Sequence, residues 1–136
     1  MKKLVIILAV ISGSIALCHA QCNPDPMIQK CSGKLGEFTF LKVYKIDNGK
    51  PGEPVEFSYV FSGNTNYMIS LCDDKGTDTG VEISLFDSNR KLVSTNKLNG
   101  KVFPAITYSC KTTGIYYMTY TLADVNCGVS VLGFKK

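Results

Sequence analysis

The segment SLCDDKGTDTG (70–80) brings three aspartates, Asp73, Asp74 and Asp78, together with Gly76 and Gly80. Carboxylates so close in sequence could hold a calcium ion, which needs about six to eight oxygens in fixed positions. The order D-D-K-G-T-D lacks the Asp-x-Asp-x-Asp spacing and the distant Glu of an EF-hand, and Lys75 would repel a cation. Asp also bonds nearby amides and Gly adopts positive φ, so the same residues make a turn. A turn is therefore expected, with Asp73, Asp74 and Asp78 as weak calcium candidates. Gly76 and Gly80 are expected to set its path, and Lys75 and solvent to screen the charges. Glu56 and Glu82 are the second acidic candidates, since a pair of carboxylates can hydrolyse a glycosidic bond. Both lie in alternating runs opposite the apolar positions, where a carboxylate more commonly serves solvation. No catalytic residue and no cofactor is assigned.

What the chain lacks narrows the chemistry further. Its only histidine is His19, and it has no tryptophan. Residues 1–20 read as a signal peptide, with Lys2 and Lys3, an apolar run Leu4–Ile11, a break at Ser12-Gly13-Ser14, and Cys18-His19-Ala20 before cleavage. Cys18 stands where a lipidated cysteine would, but Leu17 occupies the place of the small residue a lipidation motif needs. Cleavage before Gln21 is thus the expectation, with a lipid anchor through Cys18 as the alternative. The apolar run is shorter than the roughly 20 residues of a membrane span, and no later segment is longer. Once His19 has left, neither a Ser-His-Asp nor a Cys-His mechanism is open, nor a zinc site using histidine. Removing Lys2 and Lys3 leaves 13 basic against 11 acidic residues, with no dense basic cluster, so nucleic acid is not an expected partner.

Five cysteines remain, Cys22, Cys31, Cys72, Cys110 and Cys127. Export favours disulfides, so two bridges and one leftover thiol are the simplest account. Sequence does not fix pairing. The favoured pair is Cys22–Cys31, brought together by Pro24 and Pro26, with two of Cys72, Cys110 and Cys127 joined across a rim. An intermolecular bridge through the odd cysteine would make a disulfide-linked dimer.

These groups must be positioned by β-structure. Runs 38–46, 55–62, 67–72, 81–87, 91–96, 102–110, 114–122 and 127–134 alternate apolar and polar residues and are rich in β-branched and aromatic side chains. Turn signals separate them at 47–54, 62–66, 88–91 and 97–101. Val55, Phe57, Tyr59 and Phe61 share one face, as do Val81, Ile83 and Leu85, and Tyr116, Met118 and Tyr120. Tyr117 then points outward beside Thr119 and Thr121, where it could stack on a sugar or meet a partner, though a lone outward Tyr in a strand more commonly reflects β-propensity alone. Pro104 marks an edge or strand-entry position. The pattern predicts a single antiparallel β-sandwich, jelly-roll-like, of about seven to eight strands over 38–136. Residues 21–37 form a separate N-terminal segment, with at most one or two helical turns between Asp25, as cap, and Gly33.

The series VEFSYVFSGNTNYMISL, VEISLFDSNRKLV and FPAITYSCKTTGIYYMTYTL resembles the bacterial pre-peptidase C-terminal domain over about residues 55–134. That resemblance implies a jelly-roll-like sandwich on a secreted protein and a non-catalytic accessory role, with no catalytic residues to carry over. Segment 21–37 and the five cysteines depart from it. The expectation is a secreted, periplasmic or extracellular binding or accessory module with a protein or carbohydrate partner. A structural or adhesive surface protein and a carboxylate-only hydrolase are the alternatives.

Overall fold

The computed structural model describes residues 22–47 and 52–136. The signal peptide with Cys18 and His19, and residues 48–51 of the 47–54 turn, lie outside the described residues.

Eight strands pack as two four-stranded antiparallel sheets. In spatial order, one sheet holds β1 (Thr39–Ile46), β10 (Gly128–Lys135), β3 (Thr65–Asp73) and β8 (Ala105–Cys110). The other holds β2 (Val55–Phe61), β9 (Gly114–Leu122), β4 (Val81–Phe86) and β5 (Leu92–Thr95). Strands alternate between the sheets along the chain except at β4 and β5, which pair as neighbours in one sheet. This is the double Greek key of a jelly roll. A small hairpin, β6 (Lys97–Leu98) and β7 (Lys101–Val102), interrupts the crossing from β5 to β8.

The expected turn 97–101 is thus two short strands joined by Asn99 and Gly100, with φ of 53° and 75°. Positive φ at both central positions is what a tight two-residue hairpin needs. It also makes the expected strand 102–110 start late: Val102 pairs with Lys97, and β8 begins after Pro104 as an edge strand.

Period-two alternation placed the side chains as expected. Phe61, Tyr116, Met118, Tyr120, Val81, Ile83 and Leu85 all point into the layer between the sheets, against Tyr67, Ile69, Leu71, Ile106 and Leu132. Phe61 lies between two tyrosine rings, 4.0 Å from Tyr67 and 4.8 Å from Tyr116, each at 15°. Their hydroxyls are bonded, Tyr67 accepting from Ser62 N at 2.8 Å and Tyr116 donating to Thr112 O at 3.1 Å. Tyr120 shares a 2.7 Å hydrogen bond with Ser130. The Tyr44 hydroxyl has no such partner among the described residues. Burial, with Tyr59 nearby, pushes its pKa up to about 12.

The N-terminal segment is more regular than its sequence suggested. Helix α1 spans Pro24–Gly33, with Asn23 rather than Asp25 as N-cap, accepting from Asp25 N at 3.2 Å. Pro24 takes the first helical position, where its missing N–H costs nothing. The helix lies on the outer face of β10 and β3, burying Met27 and Cys31, with Leu35 just past its end, against Val129, Val131 and Cys72. It is too short and too polar to stand alone, since isolated helices below about 12–15 residues are marginal in water. No helix among the described residues is long and apolar enough to cross a membrane.

Covalent bonds anchor it. Cys22 joins Cys127 and Cys31 joins Cys72. The expected Cys22–Cys31 bridge is therefore wrong. Residues 24–33 form a helix instead of a fold-back, so both cysteines reach down to the sheet. Cys110 is the unpaired cysteine of the described residues and is only 3% exposed, its sulfur beside Thr112 O and the Tyr116 hydroxyl. A thiol sealed there gives no support to a dimer bridged through Cys110.

Candidate functional site

The aspartate loop is built from Asp73 outward. Its carboxylate closes the end of β3, accepting from Lys75 N at 3.0 Å, Thr77 N at 3.1 Å, Thr77 Oγ1 at 2.6 Å and Gly80 N at 2.9 Å. Asp74 points the other way and accepts from Asn126 N at 3.1 Å, Asn126 Nδ2 at 3.3 Å and Cys127 N at 3.4 Å. Asp78, at φ 58°, pairs with Lys30 Nζ and Lys34 Nζ, both at 2.8 Å. The three carboxylates thus serve three separate tasks: shaping the loop, holding the 126–127 turn, and gripping α1. Among the described residues, no group of three His, Cys, Asp or Glu side chains is arranged to hold a metal ion.

The turn expectation agrees with this geometry, but its mechanism does not. Asp73, not the glycines alone, sets the backbone path. Gly76 does supply positive φ, at 72°. Gly80 is needed for space, because a Cβ there would strike Val125. Lys30 and Lys34, not Lys75, neutralise Asp78. Their four-residue spacing was a sequence signal that they share a helix face. Which loop that face meets was not.

We expect thermal melts in millimolar calcium and in chelator to agree within a few degrees, since a bound ion would stabilise the folded state by mass action. A much larger calcium-dependent rise, abolished by Asp74→Asn, would identify a metal site instead.

Asp73 gives a pH dependence. Burial pushes its carboxyl up, but the Thr77 hydroxyl and the amides of Gly80, Thr77 and Lys75 outweigh that and hold it below the usual aspartate value. A depressed folded pKa means stability present above the unfolded value of about 3.9 and lost as pH falls through the folded one. Urea titrations at pH 7 should show Asp73→Asn less stable by about 2 kcal/mol, the scale of a hydrogen bond to a charged group. Its acid-induced loss below pH 4 should be smaller than the wild type's. Equal acid slopes would remove Asp73 as the cause.

The strand carboxylates are also paired. Glu56 meets Arg90, and Glu82 meets Lys97 at 3.1 Å. They flank β9, opposite Thr119 and Thr121 respectively, each tied to its own cation. The Arg90 guanidinium also lies 3.7 Å from the centre of the Tyr117 ring. Tyr117 is therefore on the outer face as expected, but its ring is covered by Arg90 rather than free for a sugar. Sequence reasoning missed this clamp: Arg90 and Glu56 lie 34 residues apart, and no local pattern joins them.

The two outer faces differ. α1 covers β10 and β3 on the outer face of their sheet, while no helix lies on the outer face of β2–β9–β4–β5 among the described residues. Val60 and Ile115, direct partners across β2 and β9, are 57% and 46% exposed there. With Ser58 and Tyr59 they line a shallow depression. Asn96 also escaped the sequence reading. It is 1% exposed and ties the hairpin base to β4, its Oδ1 accepting from Ile83 N and its Nδ2 donating to Val81 O, both at 2.8 Å.

No family model and no curated protein matches the chain. Among solved structures, it is similar to the crystal structure of PliG from Aeromonas hydrophila, a periplasmic lysozyme inhibitor of g-type lysozyme. The TM-score is 0.50 and the identity 6%, over 74% of this chain and 90% of that chain. At that identity the likeness is one of fold.

Proposed function

We propose that the protein is an exported, non-catalytic module that binds another protein through the bare face of β2–β9–β4–β5. The observation that carries this reading is the exposed Val60–Ile115 pair on a sheet without a covering element among the described residues, where the central strands of the opposite sheet are covered by a disulfide-stapled helix. Paired apolar side chains in water are a surface that association would bury. Two disulfides fit an oxidising compartment, in keeping with the signal-peptide reading of residues 1–20. The resemblance to pre-peptidase C-terminal domains supports the same accessory role. A protein partner is favoured over a carbohydrate because Arg90 occupies the Tyr117 ring and the chain has no tryptophan.

The fold likeness supplies the first partner to test, a g-type lysozyme. Titrating the mature chain into that enzyme should slow lysis of a bacterial cell-wall suspension to a saturating level, and Val60→Asp with Ile115→Asp should abolish the effect. Binding unaffected by that pair would remove the bare face from the reading. Hydrolysis by the chain itself, lost in Glu56→Gln or Glu82→Gln, would replace the module with a carboxylate enzyme.

A further inference from the structure

From Ser88 to Ala123 the chain carries five cations, Arg90, Lys91, Lys97, Lys101 and Lys111, and no carboxylate. This stretch contains β5, the β6–β7 hairpin, β8 and β9; Lys97 and Lys101 lie in the crossing from β5 to β8, which holds no carboxylate of its own. Both ends of the hairpin are fixed: Phe103 N donates to Asn96 O at 2.8 Å, Asn96 Nδ2 donates to Phe103 O at 2.9 Å, and Asn96 itself is bound to β4. Beyond that base, Leu98 is 55% and Phe103 37% exposed. Lys101 Nζ lies 5.3 Å over the Phe103 ring and makes no ion pair with the described residues. Lys97 meets Glu82, the only carboxylate among the described residues that pairs with the hairpin. Leu98 and Phe103 also wall a shallow recess with Ser94, Thr95, Ala105 and Thr107.

The exposed apolar side chains of this projecting hairpin add little to the core, while the buried asparagine at its base holds it in place. That hold reduces what the hairpin loses in freedom on binding. We infer that the hairpin Lys97–Val102, with Phe103, is a second docking surface, fitted to an acidic segment of another protein that also presents an apolar side chain. Carboxylates would meet Lys101 and Lys97, and the apolar side chain would enter the recess beside Leu98 and Phe103. This rests on the reading of the chain as a binding module but uses a different surface from Val60 and Ile115.

The test selects a displayed library of random peptides on the intact protein, with counter-selection on a Leu98→Ser, Lys101→Glu variant. Both positions are exposed, so the variant should melt with the wild type. The expected peptides combine Asp or Glu with Leu, Phe or Trp, weaken as salt is raised, and bind the variant about ten-fold less. Peptides without carboxylates, or with equal affinity for the variant, would overturn the inference. Binding lost only in Val60→Asp, Ile115→Asp would sink the hairpin and leave the proposed function standing, whereas failure of selection at both surfaces would sink both. A single-stranded oligonucleotide that binds the wild type and not the Lys101→Glu protein would reassign the basic hairpin to nucleic acid and overturn it as well.

Discussion

Replacing Cys31 and Cys72 together by alanine should lower the melting temperature by about 10 °C or more. The bridge closes a loop of 41 residues and is buried at both ends, Cys31 and Cys72 being fully inaccessible. Loop-closure entropy for that length corresponds to roughly 4 kcal/mol, within the 2–5 kcal/mol usually lost with a native disulfide. For a domain of this size each kcal/mol moves the midpoint by several degrees. The loss is concentrated at α1, whose remaining holds are Cys22–Cys127, the contacts of Met27 and Leu35, and the Lys30 and Lys34 pairs with Asp78. Such partly exposed pairs add at most about 1 kcal/mol each. Alanine avoids burying two new hydroxyls, so the change reports the bridge. Amide exchange should quicken across residues 24–33 before it does in β9. A midpoint shift of only a few degrees would show that non-covalent packing holds the helix and that the bridge is secondary.

Phe61→Ala is expected to cost about 3–5 kcal/mol, the range for truncating a buried aromatic. Phe61 is fully buried and stacked on both faces, so its removal leaves a void between Tyr67 and Tyr116 that neither ring can close without moving its bonded hydroxyl. Stacked aromatic pairs add about 0.5–1.5 kcal/mol beyond the area they bury. The neighbouring Val60→Ala, on the solvent side of the same strand, should change stability by less than about 0.5 kcal/mol. Urea denaturation of the two variants is the check. A Phe61→Ala loss below 1 kcal/mol would mean that the core collapses onto the void and that the stack is not its centre.

The sequence by itself determined which face of β2, β4 and β9 is buried. Val55, Phe57, Tyr59 and Phe61 turn inward and Glu56 and Ser58 outward because a strand repeats every two residues, a property of the backbone that needs no knowledge of the partner. For the same local reason it marked Pro104 at the entry to an edge strand and read Asp73, Gly76 and Gly80 as a turn. A β-sandwich followed, since that many short alternating runs have few other ways to bury one face each. The tertiary structure alone decided who meets whom. Cys31 finds Cys72 across 41 residues, Cys22 finds Cys127 across 105, and Arg90 reaches Glu56 across 34. Each of those contacts depends on how strands are ordered across two sheets, and alternation is the same for every order. Even the helix was half hidden: the sequence reading placed its cap at Asp25, two residues beyond the actual Asn23, and a polar ten-residue segment becomes a helix here only because two bridges and Asp78 hold it against the sheet.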